Sequence, residues 1–142
     1  MVAAKHSYGP PFLIIDCSMT VNCAVVDDEG TFLGGLIAPG ISLSTQTLFQ
    51  AAARLPMVSM SAPKSLIGKN NVESIRAGIV MGEVARIDGL IDMIRRELGY
   101  ETKIILTGED ARMLAPLLAH DVTVDETLTM RGLKLLHAAN RK

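Results

Sequence analysis

Ile14-Ile15-Asp16-Cys17-Ser18-Met19-Thr20-Val21-Asn22-Cys23-Ala24-Val25-Val26-Asp27-Asp28-Glu29-Gly30 decides the fold of this chain. It reads as an apolar strand closing on an aspartate, then a bend, then a second strand running into a turn. Just upstream, Phe12-Leu13-Ile14-Ile15 follows the turn-prone Gly9-Pro10-Pro11. That run is short, apolar and partly β-branched, as a strand buried on both faces must be. Downstream, Val21 to Val26 is a second strand, and Asp27-Asp28-Glu29-Gly30 is a tight connection whose glycine can take positive φ. Thr31 to Ala38 supplies a third strand, so the chain enters its domain as an antiparallel meander. A strand-bend-strand of this kind often holds a nucleotide phosphate. Such a cradle usually needs glycine where this bend has Cys17-Ser18-Met19.

Pro39-Gly40 stops the third strand, and Ser42 or Ser44 is expected to cap a helix running to about Arg54 with Leu48, Phe49 and Ala52 on its apolar side. Leu55 to Leu66 carries Pro56 and Pro63 and reads as an extended connection. Asn70 or Asn71 then caps the longest helix, about Val72 to Leu98, which ends at Gly99. Val80, Val84, Ile87, Ile91, Ile94 and Leu98 recur at spacings of three and four and form one stripe. Glycine weakens a helix interior by about 1 kcal/mol, so Gly78, Gly82 and Gly89 predict a close backbone there, either the domain's own sheet or another subunit. Lys103 to Leu106 is a buried strand, Asp110 to Leu118 a helix, Asp121 to Val124 a last short strand and Thr129 to Asn140 a closing helix. The order β-β-β-α-α-β-α-β-α predicts an α/β fold of the α+β-like kind, a mixed sheet with helices packed on it.

The 142 residues suit one domain with a real core. Hydrophobic residues make up 49% and charged residues 20%, which excludes disorder, while an aromatic share of 4% leaves the core to aliphatic side chains. Fourteen basic residues face fifteen acidic ones without long blocks of either sign, so neither nucleic acid nor membrane is an expected partner. No run is long enough to span a bilayer, and a soluble cytoplasmic protein with reduced Cys17 and Cys23 is expected. His6, His120 and His137 lack triad or metal spacing and are expected at the surface.

The element order resembles one lobe of the actin-like and ribonuclease-H-like kinases. More specifically, the chain resembles the second, C-terminal lobe of type III pantothenate kinases, which phosphorylate pantothenate at the start of coenzyme A synthesis. Three stretches carry the match: Phe32-Leu33-Gly34-Gly35-Leu36-Ile37-Ala38-Pro39-Gly40, Ile67-Gly68-Lys69-Asn70-Asn71-Val72-Glu73-Ser74 and Leu128-Thr129-Met130-Arg131-Gly132-Leu133. Val2-Ala3-Ala4 and Tyr8-Gly9-Pro10-Pro11 look like the helix and turn ahead of that lobe, so residues 1–142 are expected to form one such domain. The family's first lobe, with its Asp-x-Gly-Asn-Thr phosphate loop and the Gly-x-Asp-Arg motif that supplies the general base, has no counterpart in this sequence.

The resemblance implies ATP, Mg²⁺ and a monovalent cation, K⁺ or NH₄⁺, as cofactors and pantothenate as substrate. The bend aligns with the family's Asp-Phe-Gly-Thr-Ala-Thr-Thr. Asp16 stands at the cation-binding aspartate, Ser18 replaces the glycine, Met19 replaces the first threonine, and Asn22 a later one. Asp16 is open to two readings, ion ligand or strand-end aspartate bonded to nearby groups. Ser18 and Thr20, with Thr107 and Gly108 of Thr107-Gly108-Glu109, are the nucleotide-side candidates. Glu109 replaces a glycine and adds an anion that repels polyphosphate or favours a helix start. Gly68-Lys69-Asn70-Asn71 matches the family's Gly-x-Asn-Thr, which makes Asn70 and Asn71 candidates for pantothenate bound across a dimer interface. No catalytic residue is expected in this chain. The expected function is one component of a split pantothenate kinase, in a homo- or hetero-oligomer with a chain carrying the first lobe. The alternative is a non-catalytic regulatory or interaction subunit.

Overall fold

The structure, a computed structural model, describes residues 1–52 and 54–141. Helix α1 (Val2–Tyr8) leads into strands β1 (Phe12–Cys17), β2 (Thr20–Val26) and β3 (Phe32–Pro39). Helices α2 (Ile41–Ala51) and α3 (Asn71–Leu98) follow, then β4 (Lys103–Thr107), a short α4 (Ala111–Leu114), β5 (Thr123–Val124) and α5 (Leu128–Ala139). The sheet order is β3-β2-β1-β4-β5. The β1–β2 and β2–β3 pairs are antiparallel, and the β1–β4 and β4–β5 pairs parallel. The meander and the mixed sheet therefore form as the strand patterns require.

Alternation along β1 divides the core. Leu13, Ile15 and Cys17 pack with Val80, Val84, Ile87 and Ile91 of α3, while Phe12 and Ile14 pack with Ala3, Ala4 and Leu128 of α1 and α5. The predicted α3 stripe is the buried one, and both ends of that helix are closed as expected. Asn70 Oδ1 accepts from Glu73 N at 3.0 Å, Glu73 Oε2 reaches back to Lys69 N at 2.8 Å, and Gly99 ends the helix in the left-handed conformation.

Several boundaries differ from the sequence reading. No serine caps α2: its N-cap is Gly40, without a side-chain bond, and the helix ends at Ala51. Of the longer helix expected there, Ala53 lies outside the described residues. The Asp110 to Leu118 helix is one α turn followed by a 3₁₀ turn over Ala115–Leu117, because Pro116 offers no amide to continue the α ladder. The last strand is two residues, not four. A Cβ built at Gly78, Gly82 or Gly89 meets nothing within 4 Å, so these glycines do not mark a close approach of the chain's own backbone. Among the described residues no helix is long and apolar enough to cross a membrane.

Candidate functional site

The β1–β2 bend is shaped from outside. Among the described residues only glycines take positive φ, so Ser18 and Met19 hold the bend with ordinary backbone angles. The tight packing falls on its neighbours. A Cβ at Gly40 would lie 2.2 Å from Ser18 O, and one at Gly108, whose φ is +97°, would lie 2.5 Å from Cys17 O and 2.6 Å from Asp16 Oδ1. Two glycines from β3–α2 and β4–α4 thus press on the bend from either side.

Four backbone donors around the bend are engaged inside the fold. Ser18 N donates to Thr20 O at 3.2 Å, Gly40 N to Met19 O at 2.9 Å, Asp110 N to Cys17 O at 3.0 Å and Ala111 N to Gly108 O at 3.2 Å. A phosphate cradle works through free amides, and these four are not free. Side chains at the bend are paired as well. The Ser18 hydroxyl donates to Asp16 Oδ1 at 2.6 Å, and Asn22 Nδ2 donates to Thr20 Oγ1 at 3.0 Å. Met19 is 61% exposed and carries no polar group into the corner.

Register joins three of these residues into a row. Asp16 pairs with Asn22 on β2 and with Thr107 on β4, on the face that carries Ile14 and Ile105. This row ends a cavity of about 410 Å³ whose walls include Met1, Val2 from α1, and Leu133 and Leu136 from α5. Asn22 was not among the site candidates read from the sequence. The signal was present, since counting back through the hairpin sets it opposite Asp16, and strand alternation puts both on one face. Asn70 and Asn71 line no part of this cavity. Asn70 is occupied as the α3 cap, while Asn71 is exposed in the first turn.

The donors at Asp16 are oxygens: its own carboxylate and the neighbouring Ser18 hydroxyl, with Thr107 beside it. One carboxylate with hydroxyl neighbours suits a loosely held monovalent cation. A divalent ion such as Mg²⁺ would need further oxygens, of the kind nucleotide phosphates supply. Among the described residues no three His, Cys, Asp or Glu side chains converge to hold a metal. Nor does a nucleophile stand ready. Burial pushes the Cys17 thiol up to about 12 and Cys23 up to about 11, with the Glu83 charge adding to both.

Beyond Gly108 the surface turns acidic. Glu109 is exposed, and burial followed by the Glu109 charge raises the Asp110 carboxyl above its ordinary range. Both line a second cavity, of about 620 Å³, against Ile41 and Phe49 of α2 and Met57, Val58 and Met60. Behind the bend, Glu83 is buried on α3 and paired with Arg86, which also donates to Pro39 O and so ties α3 to the corner at Gly40. Of the histidines, His6 and His137 are exposed, while His120 is tucked against Asp92 at 3.0 Å with Arg95 beside its other nitrogen.

A family model described as type III pantothenate kinase matches residues 1–93. The chain belongs to that family. The type III pantothenate kinase of Acidobacterium capsulatum is 38% identical over 140 residues, covering 99% of this chain and 52% of the relative. That of Rhodospirillum rubrum is 39% identical, over 99% of this chain and 54% of the relative. That of Solibacter usitatus is 40% identical, over 98% and 53%. The chain thus spans about half the length of the curated relatives it matches. Among solved structures, a Campylobacter jejuni protein described as a Baf family transcriptional activator aligns with a TM-score of 0.62 at 22% identity, over 97% of this chain and 62% of that one. Ethanolamine utilization protein EutJ from Carboxydothermus hydrogenoformans aligns at 0.50 and 14% identity, over 94% and 52%. At those identities the likeness is one of fold, and that fold is the actin-like ATPase fold. The stretch matched by the type III pantothenate kinase model contains Asp16, Ser18, Thr20, Asn70 and Asn71, whereas Thr107 and Gly108 lie beyond it.

Proposed function

We propose that this chain is the second lobe of a type III pantothenate kinase and acts with a lobe carrying the phosphate loop and general base that it lacks. Together they would phosphorylate pantothenate with ATP. The observation that carries this reading is the match of nearly the whole chain to about half of each relative. In this reading Asp16 takes K⁺ or NH₄⁺, and Ser18, Thr20, Thr107 and Gly108 face the nucleotide, whose phosphates bring Mg²⁺. Asn71, free of capping duty, reaches toward pantothenate in a neighbouring subunit, with Asn70 holding the helix start beneath it. This chain supplies no catalytic base, so the isolated chain should be inactive. The test is ATP-dependent phosphorylation of pantothenate by the chain mixed with the unmatched portion of a relative. Activity in the mixture and in neither part alone supports the reading, and a stable complex without turnover counts against it.

A second reading is a non-catalytic regulatory or interaction subunit that keeps the lobe. It is favoured by the exposed Met19 and the anionic Glu109. Calorimetric titration of the isolated chain with ATP, Mg²⁺ and K⁺ separates the two, since tight nucleotide binding would dispose of it.

A further inference from the structure

The connection between α2 and α3 is held against the first turns of α3 by two bonds, from Arg76 Nε to Ser59 O at 3.2 Å and from the Ser74 hydroxyl to Gly68 O at 3.4 Å. A cavity of about 430 Å³ lies there, lined by Lys64, Lys69 and Arg76 with Ser61, Ser65 and Glu73. Three positive side chains thus stand around it with one carboxylate, although basic and acidic residues along the whole chain are nearly balanced, fourteen to fifteen. Among the described residues none of these three cations is in an ion pair, whereas Arg86, Arg95, Arg112 and Arg131 each have a carboxylate partner. Glu73 is no such partner either, since its Oε2 accepts from the Lys69 amide at 2.8 Å. Like charges gathered in this way repel one another, and an anion between them would relieve the repulsion.

We propose that this cavity binds a small phosphate monoester, with the phosphoryl group on Arg76, Lys64 and Lys69 and the organic part against Ala62 and Pro63. Charge selects the group: three cations less one carboxylate match a phosphoryl dianion better than a single carboxylate. Geometry agrees. The Nε bond to Ser59 O fixes the guanidinium of Arg76 and leaves its two terminal amino groups without a partner among the described residues, as a fork for two phosphoryl oxygens. The lysines add mobile point charges, and the Ser61 and Ser65 hydroxyls stand on the same wall. The volume is that of a small-molecule site and leaves room for more than a bare ion, which favours an ester over inorganic phosphate. None of these residues is a candidate for nucleotide, cation or pantothenate. The cavity also shares no lining residue with those at Asp16 and Glu109, so the site stands or falls apart from the two-lobe reading.

The test is titration calorimetry on the full chain at low salt with three probes: phenyl phosphate, inorganic phosphate and benzoate. Phenyl phosphate should bind most tightly, with benzoate, which has the same ring but a single charge, weaker by about tenfold. Arg76→Gln should weaken phenyl phosphate about tenfold, as loss of charge-assisted bonds does, and Lys64→Gln and Lys69→Gln severalfold each. Glu73→Gln should act in the opposite sense and tighten binding, because it removes the repelling charge while its amide oxygen can still accept from Lys69 N. Lys134→Gln, on α5 and outside the cavity, should leave affinity within twofold. Unchanged far-UV circular dichroism shows that each variant is folded. No binding of phenyl phosphate to the unaltered chain overturns the site, as does binding that Arg76→Gln leaves intact or that Glu73→Gln weakens. Inorganic phosphate bound as tightly as phenyl phosphate overturns the assignment to an ester.

Discussion

Replacing Gly108 with alanine tests whether the bend is held from its flanks. The added Cβ would sit 2.5 Å from Cys17 O, 2.6 Å from Cys17 C and 2.6 Å from Asp16 Oδ1. Two of those atoms are backbone in the central strand and cannot swing aside. An L side chain in the left-handed region costs about 1–2 kcal/mol, and a methyl forced into filled space about 1–3 kcal/mol. Gly108→Ala should therefore lose about 2–5 kcal/mol, a large share of the roughly 5–15 kcal/mol that holds a domain together. With a urea slope of about 1–3 kcal/mol/M, the unfolding midpoint followed by circular dichroism should fall by about 1–3 M. The control is the same substitution at Gly82, where a Cβ meets nothing and the backbone is helical. Gly82→Ala should gain about 0.5–1 kcal/mol from the stiffer unfolded chain and better helix propensity. A Gly108→Ala variant within about 0.5 kcal/mol of the parent would refute the idea that the β4–α4 turn presses on the bend.

Three further outcomes are expected. Asn70→Ala removes the α3 cap and should cost about 1 kcal/mol by urea denaturation, whereas Asn71→Ala, with no bond to lose, should cost much less. Cys17 and Cys23 should resist a thiol reagent at pH 8 until the protein is unfolded in denaturant, because burial keeps both protonated; prompt native labelling would contradict their placement. Asp125 is buried at the meeting of α1, β5 and α5. Burial alone would raise its carboxyl, but bonds from Tyr8 at 2.8 Å and Thr127, with the Arg131 charge, outweigh that and hold it below the ordinary range. A depressed carboxylate stabilises the fold above its unfolded pKa and loses that contribution as pH falls through the folded one. Asp125→Asn should therefore cost about 2 kcal/mol at pH 7, and the gap to the parent should close on acidification below the usual aspartate range.

The sheet and the long helix were legible because their signals are local and periodic. Alternation along Phe12 to Ala38 gave three strands within a residue or two of their observed bounds, and the stripe from Val80 to Ile91 named the buried side of α3. What failed depends on the partner a residue meets. Ser42 and Ser44 look like caps, yet the chain turns at Gly40 because only a glycine can lie against Ser18 O. The interior glycines of α3 looked like contact points and are open. At the site, Asp16, Ser18, Thr107 and Gly108, which the family resemblance singled out, are gathered at one corner, and the bond that engages Asp16 comes from the Ser18 hydroxyl and not from backbone amides. The engagement of those four amides could not be read from residue types, since it arises from three segments, the bend, the Gly40 turn and the Gly108–Ala111 turn, closing on one another.

The placement of Gly40 and Gly108 outside the bend has a consequence for how this corner could change. The residues that the architecture cannot spare are in the flanks, while positions 18 and 19 adopt angles open to any L residue. Shape and chemistry at the bend are thus written in different residues. A Ser18→Gly, Met19→Thr replacement could alter what the corner offers a ligand without rebuilding its backbone, which makes the hairpin a fixed mount with exchangeable tips.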